Sequence, residues 1–319
     1  MFLSVRLSII IPTRNGAATL RDLFASLSIQ TVLPDEMMVV DSSSSDETVT
    51  IAEQTGAKVT VIDPDEFDHG TTRTAAARRA AGDIVLFVTQ DVVFVGDQVV
   101  EHLIKSFTED DKIVATYARQ LPAPGATTIA SHLRLFNYPP RTEIRSLADC
   151  ERLGLRTIFL SNSCAAYRKK ALEKVGYFKE NLIFGEDTHA AARLLARGGK
   201  IKYVADAHIY HSHNYTIGEE FRRYFDIGVF HQSESWLLKT YGGSGGAGSA
   251  YIISGIHYLL GSRNYGVIAE FIVRVAAKFG GYRLGRLYSY LPTSLAVRLS
   301  LNRGWWRKRS SLKKGESHT

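Results

Sequence analysis

A chain of 319 residues, 45% hydrophobic and 22% charged, is globular in composition and long enough for one large domain or two smaller ones, which argues against a disordered or fibrous chain. Two cysteines without zinc-like spacing, Cys150 and Cys164, argue against a disulfide framework and for a reducing, cytosolic setting. The net charge of +7 is uneven: from Arg263 onward 12 Lys and Arg face 2 acidic residues, leaving 27 against 30 upstream.

At the N-terminus, Arg6 interrupts the apolar run and Pro12 and Arg14 close it too early for a signal peptide, so Leu7 to Ile11 reads as a first buried strand. "LSIII", "MMVVD", "KVTVI", "DIVLFV" and "KIVATYA" then alternate as strands with helical segments near 19–28, 46–54, 71–81 and 97–107. Such alternation predicts an α/β fold with a parallel-dominated sheet, apolar on both faces. Residues 122–160, with Pro122, Pro124, Gly125, Pro139 and Pro140, read as a loop-rich insertion. "SNSCAAYRKKALEKVGYF" follows as a strand or turn into a helix, "EDTHAAARLLARGGK" as a helix closed by glycine, and "IKYVADAHIYHS" as one or two last strands. "YGGSGGAGS" at 241–249 reads as a flexible break. A boundary near 215 divides a catalytic region, 1–215, from a helical, basic region, 216–319. No window holds the roughly 20 apolar residues that cross a bilayer, because Glu270, Arg274 and Lys278 interrupt the best one.

Four constellations carry chemistry. In "VVDSSSSDET" a buried strand ends on Asp41, where open α/β sheets bind ligands; a Ser44–Glu47 capping box explains the serines but not Asp41. In "DHGTTRTAAARRAAGDIVLFVTQD", Gly70, Thr71 and Thr72 open a helix whose free amides favour an anion within reach of Arg73, and Gly82 ends that helix. Arg78 and Arg79 read as a solvated face. The next strand delivers Thr89, Gln90 and Asp91 to the same carboxyl edge as Asp41, and two carboxylates beside an anion site suggest a metal-bound nucleotide diphosphate. In "FGEDTHAAARLLARGG", Glu186 and Asp187 fall in a first helical turn, where dipole stabilisation of under about 1 kcal/mol is the plain alternative. In "AHIYHSHNYT", His208, His211 and His213 crowd six residues, and on a strand His211 and His213 point to one side. One carboxylate with imidazole makes an open metal site that substrate phosphates complete.

In this order the motifs resemble the family 2 glycosyltransferases of the GT-A fold, from "SIIIPTRNGAATLRDLFASLSIQT" through "VVDSSSSDET" to "FGEDTHAAARLLARGGK", over roughly residues 7–213. "FDHGTTR", "TQD" and "HSHNYTIGEEFRRYFDIGVF" are similar to the bacterial rhamnosyltransferase branch. The resemblance implies a Rossmann-like mixed sheet flanked by helices, a helical C-terminal region, and an inverting hexosyltransferase of the metal-dependent kind. It implies a nucleotide-sugar donor, dTDP-L-rhamnose, with Pro12, Arg14 and Asp41 around the nucleotide, to which the helix start and strand end read above add Arg73, Thr89 and Gln90. It further implies Mg2+ or Mn2+ on Asp91, with His211 and then His213 as added ligands. Asp187 of the Glu186–Asp187 pair becomes the general base, and Arg222, Arg223 and Trp236 stand toward the acceptor or diphosphate. The Asp-x-Asp of the family is Thr89-Gln90-Asp91 here, and its Asp-Gly after "VVD" is Ser42-Ser43. Three alternatives stay open: a family 2 transferase using a UDP-hexose, a sugar nucleotidylyltransferase, and a membrane-surface scaffold with a degenerate transferase core.

Beyond 263, Glu270, Arg274 and Lys278 recur at four-residue spacing while Ile268, Phe271, Ile272, Val275 and Phe279 line other faces, predicting an amphipathic helix. "NRGWWRKRSSLKK" sets Trp305 and Trp306 among basic residues, a composition suited to an anionic membrane surface. The alternative is a helical cap packed on the core with a basic end. The resemblance implies a lipid-linked or oligosaccharide acceptor in O-antigen-type polysaccharide synthesis, and with it these features predict a peripheral enzyme on the inner face of the cytoplasmic membrane. No nucleic-acid module is recognisable, so no nucleic-acid partner is expected.

Overall fold

The computed structural model describes residues 5–243 and 246–316. Its first part alternates β1 (Leu7–Thr13), α1 (Ala17–Ser28), β2 (Glu36–Asp41), α2 (Thr48–Gln54), β3 (Lys58–Val61), α3 (His69–Arg79) and β4 (Ile84–Val88). The middle holds β5 (Val93–Phe94), α4 (Val99–Glu109), β6 (Ile113–Leu121), α5 (Thr128–Asn137), β7 (Glu143–Arg145), α6 (Cys150–Leu153), β8 (Cys164–Arg168), α7 (Lys169–Lys174), α8 (Glu186–Ala196) and β9 (Lys200–Tyr210). The last part is helical: α9 (Ile217–Ser233), α10 (Ser235–Tyr241), α11 (Ala247–Gly261), α12 (Ile268–Arg286), α13 (Thr293–Leu299) and α14 (Arg303–Glu316).

One sheet has the order β3-β2-β1-β4-β8-β6-β9-β5, with β7 paired to β9. The first four strands in that order are mutually parallel, as the alternating pattern predicts. The second half is mixed rather than parallel-dominated: β8 runs against both β4 and β6, and β9 lies parallel to β6 but against β5 and β7. Reversal at β8 has a positional consequence. The carboxyl ends of β4, β6 and β9 and the amino end of β8 all meet at one edge, with Val88 of β4 opposite Cys164 of β8.

Side-chain alternation buries both faces. Leu7, Ile9 and Ile11 of β1, with Ile84, Leu86 and Val88 of β4, pack beneath Leu20 and Leu23 of α1 and Leu103 and Phe107 of α4. Ile10, Val85 and Phe87 face the other way, toward Ala76 and Ala77 of α3 and Ala190, Ala191 and Leu194 of α8. Phe225, Val229 and Phe230 of α9, Leu237, Tyr241, Ala296 and Trp306 join that second core, so the C-terminal helices share it.

Several sequence expectations are corrected. The 122–160 stretch is not mainly loop: Thr127 caps α5 by accepting from Ala130 N, and Ile129, Ala130 and His132 are buried. The Ser44–Glu47 capping box is absent, because the Ser44 hydroxyl donates to Asp41 Oδ1 and accepts from Asn15 N while α2 starts at Thr48. Helix α3 stops at Arg79, before Gly82, where a Cβ would stand 2.6 Å from Ser8 N, so close approach of strand and turn requires glycine there. In the glycine-rich break, residues 244 and 245 lie outside the described residues, and α11 has already begun at Ala247. Trp305 and Trp306 are not offered outward: Trp306 is buried in the core, and Trp305 packs against it while its Nε1 donates to Asn181 O at 2.7 Å. Among the described residues no helix is long and apolar enough to cross a membrane.

Helices α9 and α12 cross at backbone contact. A Cβ on Gly285 would stand 2.0 Å from Phe225 O, and one on Gly281 would stand 2.3 Å from Phe221 O. At Gly280 it would meet only Phe221 Cε2 at 3.8 Å, an ordinary contact. Gly285→Ala and Gly281→Ala are therefore expected to lower unfolding free energy by about 1–3 kcal/mol, whereas Gly280→Ala is neutral or raises it by up to about 1 kcal/mol. Urea unfolding of the three variants measures the difference.

Candidate active site

At the shared sheet edge, Asp91 follows β4, and His211 and His213 follow β9, just past the strand on which they were expected. Their ligating atoms lie within 4.8 Å of one another: Nε2 of His211 is 3.4 Å and Nε2 of His213 is 3.8 Å from Asp91 Oδ2. Gln120, at the end of β6, fixes the first imidazole. Its Nε2 donates to Ser161 Oγ at 3.0 Å, its Oε1 accepts from Arg134, and that same oxygen lies 3.0 Å from Nδ1 of His211. With the Nδ1 proton committed to Gln120, Nε2 of His211 faces the Asp91 carboxylate, and a cation between them satisfies both.

Burial opposes ionisation of Asp91, but chiefly the hydrogen bond and charge interaction with His211 hold its carboxyl well below the usual range. Burial, reinforced by the neighbouring His211 charge and opposed by Asp91, lowers His213 to about 4, leaving it a neutral ligand near pH 7. One ionised carboxylate and two imidazoles on one side of an open edge fit a divalent cation such as Mg2+ or Mn2+.

The Glu186–Asp187 pair divides its work. Gly185, with φ of 74°, turns the chain into α8, and a Cβ there would strike the Phe230 ring at 2.9 Å. Glu186 is buried, ion-paired to Arg73 at 3.0 Å, and accepts from Asn162 Nδ2 at 3.2 Å, while Tyr167 holds the other side of that amide. Against the cost of burial, Arg73 keeps the Glu186 carboxyl ionised. Asp187 is partly exposed and accepts from Asn162 N and Thr188 N. Desolvation and the adjacent Glu186 charge raise its pKa, toward the range in which a carboxylate can take a proton and give it up again. The two centres are structurally joined, because Ser161 touches Gln120 behind the Asp91 and histidine cluster and the next residue, Asn162, touches both carboxylates.

The other expected contacts are placed unevenly. Asp41 is 0% exposed and accepts from Thr13 Oγ1, Ser44 N and Ser44 Oγ, so its oxygens are committed to organising the loop after β2. Arg73, 4% exposed, faces Glu186 and His69 and is not a phosphate contact; Asp68 caps the α3 amides where an anion was expected. Gln90 clamps the β1 loop through Arg14 N at 2.8 Å and Arg14 O at 3.1 Å, leaving Arg14 exposed and Pro12 half-buried. Thr89 N pairs with Ser163 O, which ties β4 to the approach of β8.

Arg223 stacks over Phe184 and Tyr215 and acts electrostatically on His213, which places it beside the cluster. Arg222, on the same helix, has Glu219 as its electrostatic neighbour. Trp236 lies elsewhere, edge-on to His189 and donating to Glu234 at 3.0 Å. His208, within β9, is opposite Arg119 in the sheet and outside the Asp91 cluster. Sequence reasoning missed Gln120, Arg134 and Asn162; only "SNSC" before β8 offered a signal for Asn162.

A sequence profile described as glycosyl transferase family 2 matches residues 8–176, and one described as glycosyl transferase family group 2 matches residues 146–297. An O-antigen chain rhamnosyltransferase, RfbN of Salmonella typhimurium, is 38% identical over 304 residues, covering 95% of this chain and 96% of the relative. Another, WbaN of Salmonella anatum, is 40% identical over 301 residues, covering 94% and 95%. Among solved structures, a mannosyltransferase of Pyrobaculum calidifontis in complex with GDP-Man and Mn2+ superposes with a TM-score of 0.60 at 17% identity, over 96% of this chain and 89% of that one. TarS residues 1–349 of S. aureus give 0.53 at 19% identity, over 97% and 92%. The fold shared with these structures is GT-A.

If Gln120 orients His211, Gln120→Ala weakens Mn2+ binding by about 10–100-fold, as loss of an outer partner typically does. Calorimetric titration of the purified variant against wild type reads this directly.

Proposed function

This chain belongs to glycosyl transferase family 2, and from that premise we propose that it moves L-rhamnose from dTDP-L-rhamnose onto a lipid-linked or oligosaccharide acceptor in O-antigen-type polysaccharide synthesis. The observation that carries this reading is likeness of 38% and 40% to two O-antigen chain rhamnosyltransferases over nearly the full length of each chain.

In this reading the β1 and β2 loops, braced by Gln90 and Asp41, receive the nucleotide, and the diphosphate reaches the edge lined by Asp91, His211 and His213. A divalent cation, Mg2+ or Mn2+, held by those three would neutralise the charge that develops on the departing diphosphate. Arg223 adds a fixed positive charge on the same side. Glu186 is tied to Arg73, which leaves Asp187 to accept the proton of the acceptor hydroxyl as its oxygen attacks the anomeric carbon. Attack opposite the leaving dTDP forms the new glycosidic bond while the old one breaks, and that single displacement inverts the anomeric carbon. The lipid-linked acceptor places the enzyme at the inner face of the cytoplasmic membrane, where the positive C-terminal segment meets anionic lipid.

Asp187→Asn is expected to lower the rate of dTDP release from dTDP-L-rhamnose in the presence of acceptor by about 10²–10⁴-fold while leaving nucleotide affinity unchanged. A variant that turns over at the wild-type rate would remove Asp187 from this role, and absence of dTDP-L-rhamnose turnover in wild type would remove the donor assignment. The base works ionised and its pKa is raised, so the rate falls on acidification with a midpoint above the ordinary aspartate value of about 3.9. A kcat–pH profile shows whether the acid limb is displaced upward.

A further inference from the structure

Helix α12 packs Phe271 inward against Ile129 and Leu259 and turns Arg274 and Lys278 inward as well, while Ile272, Val273 and Phe279 stay exposed. Arg274 and Lys278 face Glu220 of α9 at 3.2 and 3.3 Å, and Lys278, only 5% exposed, also donates to the Tyr251 hydroxyl at 3.1 Å. Buried Glu220 requires these counter-charges, and they act with buried Phe271 and the close Gly281 and Gly285 contacts to fix the rotation of the helix. Facing water is an apolar stripe, Tyr265, Ile272, Phe279, Leu287 and Tyr290, with Phe279 at 66% and Tyr290 at 83% exposed and with Val273 and Leu284 exposed beside it. Spacings of seven, seven, eight and three keep these positions on one side of a helix and its short flanking turns. Within α12 the stripe runs about 20 Å, from Ala269 to Arg283. Alanines at 269 and 276 continue it, and its one charged member, Arg283, lies over the Phe279 ring.

The charge of the same segment selects the occupant. Residues 263–319 hold 12 Lys and Arg against 2 acidic residues, and Arg263, Arg283, Arg298 and Arg303 are exposed. A second copy of the chain would bring one strongly positive segment against another. An anionic bilayer surface offers apolar depth for Ile272 and Phe279, an interface for the two terminal tyrosines, and negative headgroups for the arginines. We infer that the outer stripe of α12 and its flanking turns, from Tyr265 to Tyr290, lies in the plane of an anionic phospholipid surface and is the main membrane contact of the protein. This inference rests on the inner-leaflet reading above and names the surface that serves it, in place of the tryptophan pair, which the core occupies.

Full-length protein is sedimented with vesicles of phosphatidylglycerol and phosphatidylcholine in equal parts and with vesicles of phosphatidylcholine alone. Wild type is expected to bind the mixed vesicles preferentially, and the double variant Ile272→Glu, Phe279→Glu to lose more than about tenfold in binding, since two large apolar contacts are removed. Unchanged melting temperature and unchanged stabilisation by Mn2+ show that the variant is folded. Full binding by the double variant overturns the stripe and leaves the inner-leaflet reading standing. Failure of wild type to bind either vesicle overturns both. Equal binding to the two vesicle types overturns the anionic requirement, and a wild-type dimer in solution that the double variant abolishes shows the stripe to be an interface between copies.

Discussion

The reversal of one strand organises this protein. Because β8 runs against β4 and β6, its first residues stand where those strands finish, so Asn162 lies at the same edge as Asp91, Gln120 and His211. A fully parallel sheet would have put the start of that strand at the far edge. The candidate site follows from this adjacency: the Asp91, His211 and His213 cluster rests on Gln120, Gln120 rests on Ser161, and the next backbone amide along holds Asp187.

The electrostatics of the edge come from pairing unlike environments. Arg73 and Glu186 form an ion pair almost sealed from water, and removing one partner of such a pair costs about 3–5 kcal/mol, so the position of Glu186 is strongly enforced. Its fixed negative charge is felt by Asp187, one residue on, which remains partly open and is raised toward neutrality. Two adjacent carboxylates thereby acquire different behaviour from different neighbours, one structural and ionised, the other poised to exchange a proton. At the other centre the opposite arrangement holds, with imidazoles keeping Asp91 ionised.

The strand and helix order through β4, the edge position of Asp91 and the pairing of His211 with His213 were legible in the sequence, because each rests on local periodicity or on residue types seldom crowded together. What was not legible depends on partners far along the chain. Gln120 meets His211 across 91 positions, and a glutamine near a strand end carries no signature of that role. Ser44 has the spacing of a cap, but the Asn15 amide and the Asp41 carboxylate compete for its hydroxyl and win. Arg73 has the placement of a phosphate ligand, and only Glu186, from a distant helix, turns it inward. For α12 the periodicity does not say which apolar residues stay at the surface: Phe271 packs inward, Glu220 draws Arg274 and Lys278 in beside it, and Ile272 and Phe279 are left outside.

The measurement that bears most directly on the central assignment is thermal stabilisation of the purified protein by dTDP-L-rhamnose and by UDP-hexoses, each with and without Mn2+, in wild type and in His211→Ala. A ligand that binds only the folded state raises the melting temperature. A rise selective for dTDP-L-rhamnose, dependent on the metal and lost in His211→Ala, is the result expected of a rhamnosyl donor seated on the Asp91, His211 and His213 edge. Stabilisation by a UDP-hexose in its place, or by either donor without regard to metal or His211, would contradict it.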